Sequence, residues 1–135
     1  EPLFFEQGLT LISQVDEGIT VSGDEEALRR VLEILLDNAQ KYSSPGGETQ
    51  VTLHRRGRNH CALTVANQGE PIPPEARRQI FQRFYRADPA RSRNGSFGLG
   101  LSIAEGIVAQ HHGTIDVTCA GGFNRFWAEL PCRQE

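Results

Sequence analysis

Asn94-Gly95-Ser96-Phe97-Gly98-Leu99-Gly100-Leu101-Ser102-Ile103, NGSFGLGLSI, decides how the rest of the chain is read. Three glycines stand directly ahead of a stretch with helical apolar spacing, so backbone N–H groups there can face an anion with no side chain in the way. A P-loop would require Lys-Ser/Thr after the last glycine, and a dinucleotide fingerprint would require a third glycine three residues further on. Leu101 and Ile103 occupy those places, so neither motif is present. Two readings stay open at this point: a phosphate-binding junction, or a flexible structural turn.

Working outward, Leu99, Ile103, Ala104, Ile107 and Val108 form the buried stripe of a helix, with Gly113 as its stop. Thr114 to Thr118 and Phe126 to Leu130 alternate in the strand manner around Ala120-Gly121-Gly122, a closing hairpin. Upstream of the junction, Tyr85 to Phe97 is polar and aperiodic and is expected to be a mobile loop. A short helical piece is expected from Glu75 to about Phe84, with Phe81 and Phe84 on one face. Before it, Asn67 to Pro74 carries prolines and a glycine that exclude regular structure.

The first half of the chain reads as two strands, a helix and a hairpin. Leu9 to Val15 and Ile19 to Val21 resemble strands joined by a tight turn at Asp16-Glu17-Gly18. Leu28, Val31, Leu32, Leu35, Leu36 and Ala39 then mark a helix that Ser22 or Asp24 can cap and that Ser44-Pro45-Gly46-Gly47 ends. Gln50 to Arg55 and Cys61 to Ala66 flank a polar turn. The element order predicts one sheet with helices packed on one face.

The bulk numbers fit a single domain. The 135 residues carry 14 basic and 17 acidic side chains, a net charge of −3, which gives no reason to expect a nucleic-acid or acidic-membrane partner. Cys61, Cys119 and Cys132 are odd in number and form no CxxC pair, which suits a reducing compartment, and they read as packing or surface residues. No apolar run approaches the roughly 18 residues that span a bilayer, so no membrane insertion by this chain is expected. Opening on EPLFFEQG without an initiator methionine is the pattern expected of a domain taken from a longer protein.

Several polar residues stand where chemistry is possible. Successive helical residues turn about 100°, which puts Asn38 and Lys41 at the edge of the apolar stripe, one turn after Ile34. Asn38 is either an amide satisfied by its own backbone or a neutral oxygen for magnesium, a cation that keeps several waters and needs few protein ligands. Lys41 either reaches solvent or meets a phosphate. Asn67 closes a strand two residues before Gly69, where a polar side chain can face a pocket and glycine can admit a flat ring. Arg83, Arg86, Arg91 and Arg93 against Asp88 make the loop ahead of the glycines basic, either as a solvated surface or as a cover over a triphosphate.

Taken together, LEILLDNAQKYS resembles the N box, VANQGEPIP the G1 box, FQRFYR the F box and GSFGLGLSI the G2 box of the catalytic, ATP-binding domain of sensor histidine kinases. All four occur in the family's order between Leu32 and Ile103. The resemblance implies an α/β sandwich of the Bergerat type, with a mixed, mostly antiparallel sheet, helices on one face and a mobile ATP lid. It implies ATP and Mg2+ as ligands, with Asn38 on the metal, Lys41 on the phosphates and Tyr42 near the nucleotide. Asn67, Gly69 and Ile72 would lie on the adenine side; Gly98, Leu99, Gly100 and Leu101 would lie on the phosphate side. Phe84 would anchor the lid and Arg86 would reach the triphosphate.

The resemblance further implies transfer of the γ-phosphate to a histidine on a separate dimerisation domain, and from there to a response-regulator aspartate. The parent would be a membrane-anchored bacterial sensor with this domain in the cytoplasm. His54, His60, His111 and His112 do not lie in a phosphoacceptor motif, so the chain alone is expected to bind nucleotide without phosphorylating itself.

Three positions depart from the family pattern. Asn67 stands where most members carry an aspartate for the adenine amino group, so charge-assisted strength is lost. Pro71 replaces the second G1 glycine. Ile34 replaces an asparagine, and in hydrolysing relatives a glutamate that activates water. Glu33 points about 140° away from Asn38 around the helix. The alternatives are a non-catalytic nucleotide-sensing or docking module of the same fold, and a serine kinase of the anti-sigma type.

Overall fold

The computed structural model describes residues 10–15, 19–21, 23–82 and 100–134. Its elements are β1 (Thr10–Val15), β2 (Ile19–Thr20), α1 (Glu25–Tyr42), β3 (Glu48–Arg56), β4 (His60–Gln68), two 3-10 turns (Pro74–Ala76 and Gln79–Phe81), α2 (Gly100–Gln110), β5 (Thr114–Ala120), β6 (Phe123–Pro131) and β7 (Arg133–Gln134). Five strands form one mixed sheet in the order β1-β3-β4-β6-β5, in which only β1–β3 is parallel. The anticipated α/β architecture is the one observed.

Alternation along the strands sorts the two faces. Cys61 and Val65 of β4 and Phe126, Ala128 and Leu130 of β6 join Val31, Ile34, Leu35 and Ala39 of α1 and Leu101, Ala104 and Val108 of α2 in one core. Both helices therefore lie on the same side of the sheet. Phe126 and Leu35 are fully buried at its centre, and each such side chain contributes about 1.5–3 kcal/mol by leaving water.

Local signals set the helix ends. Asp24 is the N-cap of α1, its carboxylate accepting from the N–H groups of Glu26 and Ala27 at 3.0 and 3.2 Å. At the far end of α2, His112 takes the left-handed conformation (φ 62°), and Gly113 N–H returns to Val108 O at 2.9 Å. The helix closes in a Schellman turn one residue before the glycine expected to stop it. His111 then ties the two helices. Its Nε2 accepts from Asp24 N–H at 3.1 Å while Nδ1 bonds Ile107 O at 2.8 Å. Since Gly100 approaches Ile34, α2 runs antiparallel along the first half of α1. The β5–β6 turn places Gly121 and Gly122 at φ 61° and 82°, the pair of positive values a two-residue hairpin requires.

Two local expectations are corrected. β1 and β2 do not form a hairpin with each other: β1 joins the main sheet beside β3, and β2 pairs with β7 in a separate two-stranded sheet. The piece after Pro73-Pro74 is not one short helix within its described part but two 3-10 turns, with no side-chain cap at either. Residues 83 and 84, its expected end, lie outside the described residues.

Candidate functional site

One polar row interrupts the helix-facing side of the sheet. Thr49 of β3 lies directly opposite Asn67 of β4, and Asn67 directly opposite Asn124 of β6. All three are 0% exposed. Polar groups buried this deeply ordinarily find partners, and Asn124 does. Its Oδ1 accepts from Ile72 N–H at 3.1 Å and from the Cys119 thiol at 2.9 Å, while Nδ2 donates to Glu70 O at 2.9 Å. Asn67 does not: both its Oδ1 and its Nδ2 are buried without a hydrogen bond, as is Thr49 Oγ1. Leaving such groups unmet costs about 1–3 kcal/mol each, a cost more typical of a binding site than of packing.

The turn after β4 is fixed over this row. Gly69 N–H donates to Gly122 O at 3.1 Å, Ser44 N–H to Gln68 O at 3.0 Å, and Arg77 Nε to Ile72 O at 3.2 Å. A Cβ on Gly69 would fall 2.2 Å from Tyr42 O and 3.2 Å from Asn67 Nδ2. Glycine is thus required there by the end of α1; the space a side chain would take is filled by protein. Ile72, read as an adenine-side residue, is 3% exposed and packs in the core. The Tyr42 ring stacks on Phe126 at 6.1 Å between centroids and 27° between planes.

On α1, Asn38 is 6% exposed and its Nδ2 donates to Ile34 O at 3.0 Å. That bond satisfies the amide N–H locally and fixes the side chain, directing its oxygen away from that carbonyl. The backbone-satisfied account offered by the sequence thus describes the Asn38 nitrogen. Among the described residues no trio of His, Cys, Asp or Glu gathers as a metal cage. Lys41 is exposed.

Ile34, Asn38 and Tyr42 recur every fourth residue and share one face, spanning about 12 Å at the helical rise. Gly100, first residue of α2, abuts the Ile34 end, where its Cβ would lie 3.4 Å from Ile34 Cγ2. Asn67 and Gly69 mark the Tyr42 end. Leu101, by contrast, is 5% exposed and turned into the core. Beside Ile34 runs a groove of about 510 Å³ lined by Glu26, Arg29, Arg30, Glu33 and Asp37. Glu33 is exposed whereas Asn38 is buried, in keeping with their separation around the helix. Phe84, Arg86, Gly98 and Leu99 lie outside the described residues, as does the rest of the arginine-rich loop.

Thr49 and Asn124 were missed by the sequence reading. Each alternates in phase with core residues, Thr49 with Val51 and Leu53 and Asn124 with Phe126 and Ala128. A polar residue on a buried strand face was the available signal. Two of the three cysteines likewise meet across 71 positions of sequence: the Cys61 thiol is buried beside Cys132, and desolvation first, then that neighbour, push it up to about 11.

Residues 23–134 match the family described as histidine kinase-, DNA gyrase B-, and HSP90-like ATPase. The signal transduction histidine-protein kinase/phosphatase MprB of Mycolicibacterium smegmatis is 49% identical over 107 residues, 78% of this chain. This chain spans only 22% of that protein's length. A solved mycobacterial sensor histidine kinase MprB superposes with a TM-score of 0.86 at 31% identity, covering 99% of this chain and 89% of its own. Full-length ShkA in complex with AMPPNP gives 0.85 at 28% identity, covering 99% of this chain and 28% of its own.

Proposed function

Because this chain belongs to the histidine kinase-, DNA gyrase B- and HSP90-like ATPase family, as a sensor-histidine-kinase catalytic domain, we propose that it binds Mg-ATP and donates the γ-phosphoryl group to a histidine on another domain. The observation that carries this reading is the Asn67 amide, buried at the end of β4 beside the turn to Gly69 with neither atom paired. A purine edge offers the partners it lacks. From there the Tyr42–Asn38–Ile34 face leads to the start of α2, and a helix N-terminus, with N–H groups that intrahelical bonds do not use and a positive dipole end, suits a phosphate.

Magnesium, when bound, would neutralise phosphate charge, with Asn38 Oδ1 as its protein ligand. Lys41, Gly98, Leu99, Gly100 and Arg86 are assigned to the phosphates, and Phe84 to the lid. Transfer breaks the bond between the γ-phosphorus and the bridging oxygen, releasing ADP, and forms a phosphorus–nitrogen bond to a neutral imidazole of the acceptor. Such a reaction asks the domain chiefly for positioning and charge neutralisation. Ile34, apolar and in the core, provides no base for water, which favours an external nucleophile over hydrolysis.

The acceptor histidine would then pass its phosphoryl group to a response-regulator aspartate, in a parent protein anchored at the membrane with this domain on the cytoplasmic side. Among the described residues no helix is long and apolar enough to cross a membrane. Incubation with γ-labelled ATP should leave this chain unlabelled and label a histidine of the parent's helical dimerisation domain supplied in trans. Stable label on a histidine of this chain would refute the assignment of roles.

A further inference from the structure

Asn67 raises a question of base selectivity that goes beyond ATP binding. A carboxylate at this position can only accept: it takes the proton of a 6-amino group and repels a 6-keto oxygen. A carboxamide has one acceptor and one donor about equally far from the backbone, and a half-turn of its last torsion exchanges them. Adenine presents a donor at its 6-amino group beside an acceptor at N1. Hypoxanthine and guanine present the reverse, a 6-keto acceptor beside an N1–H donor. An amide matches either edge, provided that nothing in the protein dictates which way it faces.

Among the described residues no such constraint is present. Both Asn67 atoms are unpaired, so no bond fixes their order. Its neighbour in register, Thr49, carries a hydroxyl that is also unpaired and can rotate to donate or accept. The other neighbour, Asn124, is committed at both ends to the 70–72 turn and to Cys119, so it cannot orient Asn67. Within one row, the Asn124 amide is locked and the adjacent Asn67 amide is left able to turn.

We propose that Asn67 makes nucleotide binding by this chain indifferent to the 6-substituent of the purine, so that it accepts 6-keto purine nucleoside triphosphates alongside ATP. The inference rests on the nucleotide-binding reading above, and the 6-position is where the two can be told apart. Inosine triphosphate is the suitable probe, because it differs from ATP only in the six-membered ring's hydrogen-bonding edge. A site built to pair one polar edge rejects the reversed edge by orders of magnitude, since its own groups are left unmet.

Calorimetric titration of this chain with Mg-ATP and Mg-ITP should give dissociation constants within about tenfold of each other. Asn67→Asp should raise the ratio of the ITP to the ATP dissociation constant by at least about tenfold, because the keto oxygen then faces a carboxylate. ITP binding more than tenfold weaker than ATP in the unaltered chain overturns the inference and leaves the ATP reading standing; this comparison does not depend on whether the variant folds. An unchanged ITP-to-ATP ratio in Asn67→Asp also overturns it. Absence of binding by both nucleotides would remove the nucleotide reading itself, and this inference with it.

Discussion

Thr49→Val isolates the energetic argument on which the site rests. The side chain is β-branched, 0% exposed and without a partner for its hydroxyl; valine keeps its shape and removes the unmet group. Burying an unpaired hydroxyl costs about 1–3 kcal/mol, and valine suits a strand at least as well as threonine. The variant should therefore be more stable by about 1–2 kcal/mol. With a urea slope of about 1–3 kcal/mol per molar for small proteins, the unfolding midpoint should rise by roughly 0.5–1 M. Thr64→Val is the control: half-buried on the opposite face of the sheet opposite Trp127, it should stay within about 0.5 kcal/mol. A midpoint for Thr49→Val that is unchanged or lower would mean the hydroxyl is satisfied after all, and the case for an unmet polar row would fail.

Other consequences are as specific. Gly69→Ala would drive a Cβ to 2.2 Å from the Tyr42 carbonyl, a backbone atom, and should cost about 3 kcal/mol or more, read as loss of cooperative thermal unfolding near the wild-type temperature. Asn124→Ala removes the bonds that hold Glu70 and Ile72; hydrogen exchange at the Ile72 amide should accelerate by about tenfold or more. His111→Ala breaks the tie between α2 and Asp24 and should cost about 1 kcal/mol; because a Cβ on Gly23 would meet the His111 ring at 2.2 Å, Gly23→Ala should be far better tolerated in that background, a coupling that a double-mutant cycle measures. The Cys61 thiol ionises near 11 in the fold against 9.0 for an unperturbed thiol, so the unfolded chain loses that proton first. Stability should fall as pH rises from 9 towards 11, and Cys61→Ala should flatten that dependence in denaturant melts.

Much of this architecture is legible in sequence because its signals are local. The stripe from Leu28 to Ala39, the Asp24 cap and the Gly121-Gly122 turn each act within a few residues. Strand partners are another matter. Alternation from Leu9 to Val15 announces a strand but says nothing of its partner, and β1 and β2 pair with β3 and β7, far along the chain. The same limit hid half of the candidate site. Asn38 and Asn67 could be picked out from spacing and resemblance, whereas Thr49 and Asn124 become part of one row only through register across three strands. Gly69 carried a different lesson, since its lack of a side chain was legible and its reason, the Tyr42 carbonyl, was not.

Nucleotide binding is the property from which the proposed phosphoryl transfer follows. Calorimetric titration of the chain with Mg-ATP, alongside Asn38→Ala, is predicted to show saturable binding at one site per chain that the substitution abolishes or weakens at least about tenfold. No heat of binding at millimolar Mg-ATP, or binding that Asn38→Ala leaves unaltered, would contradict it.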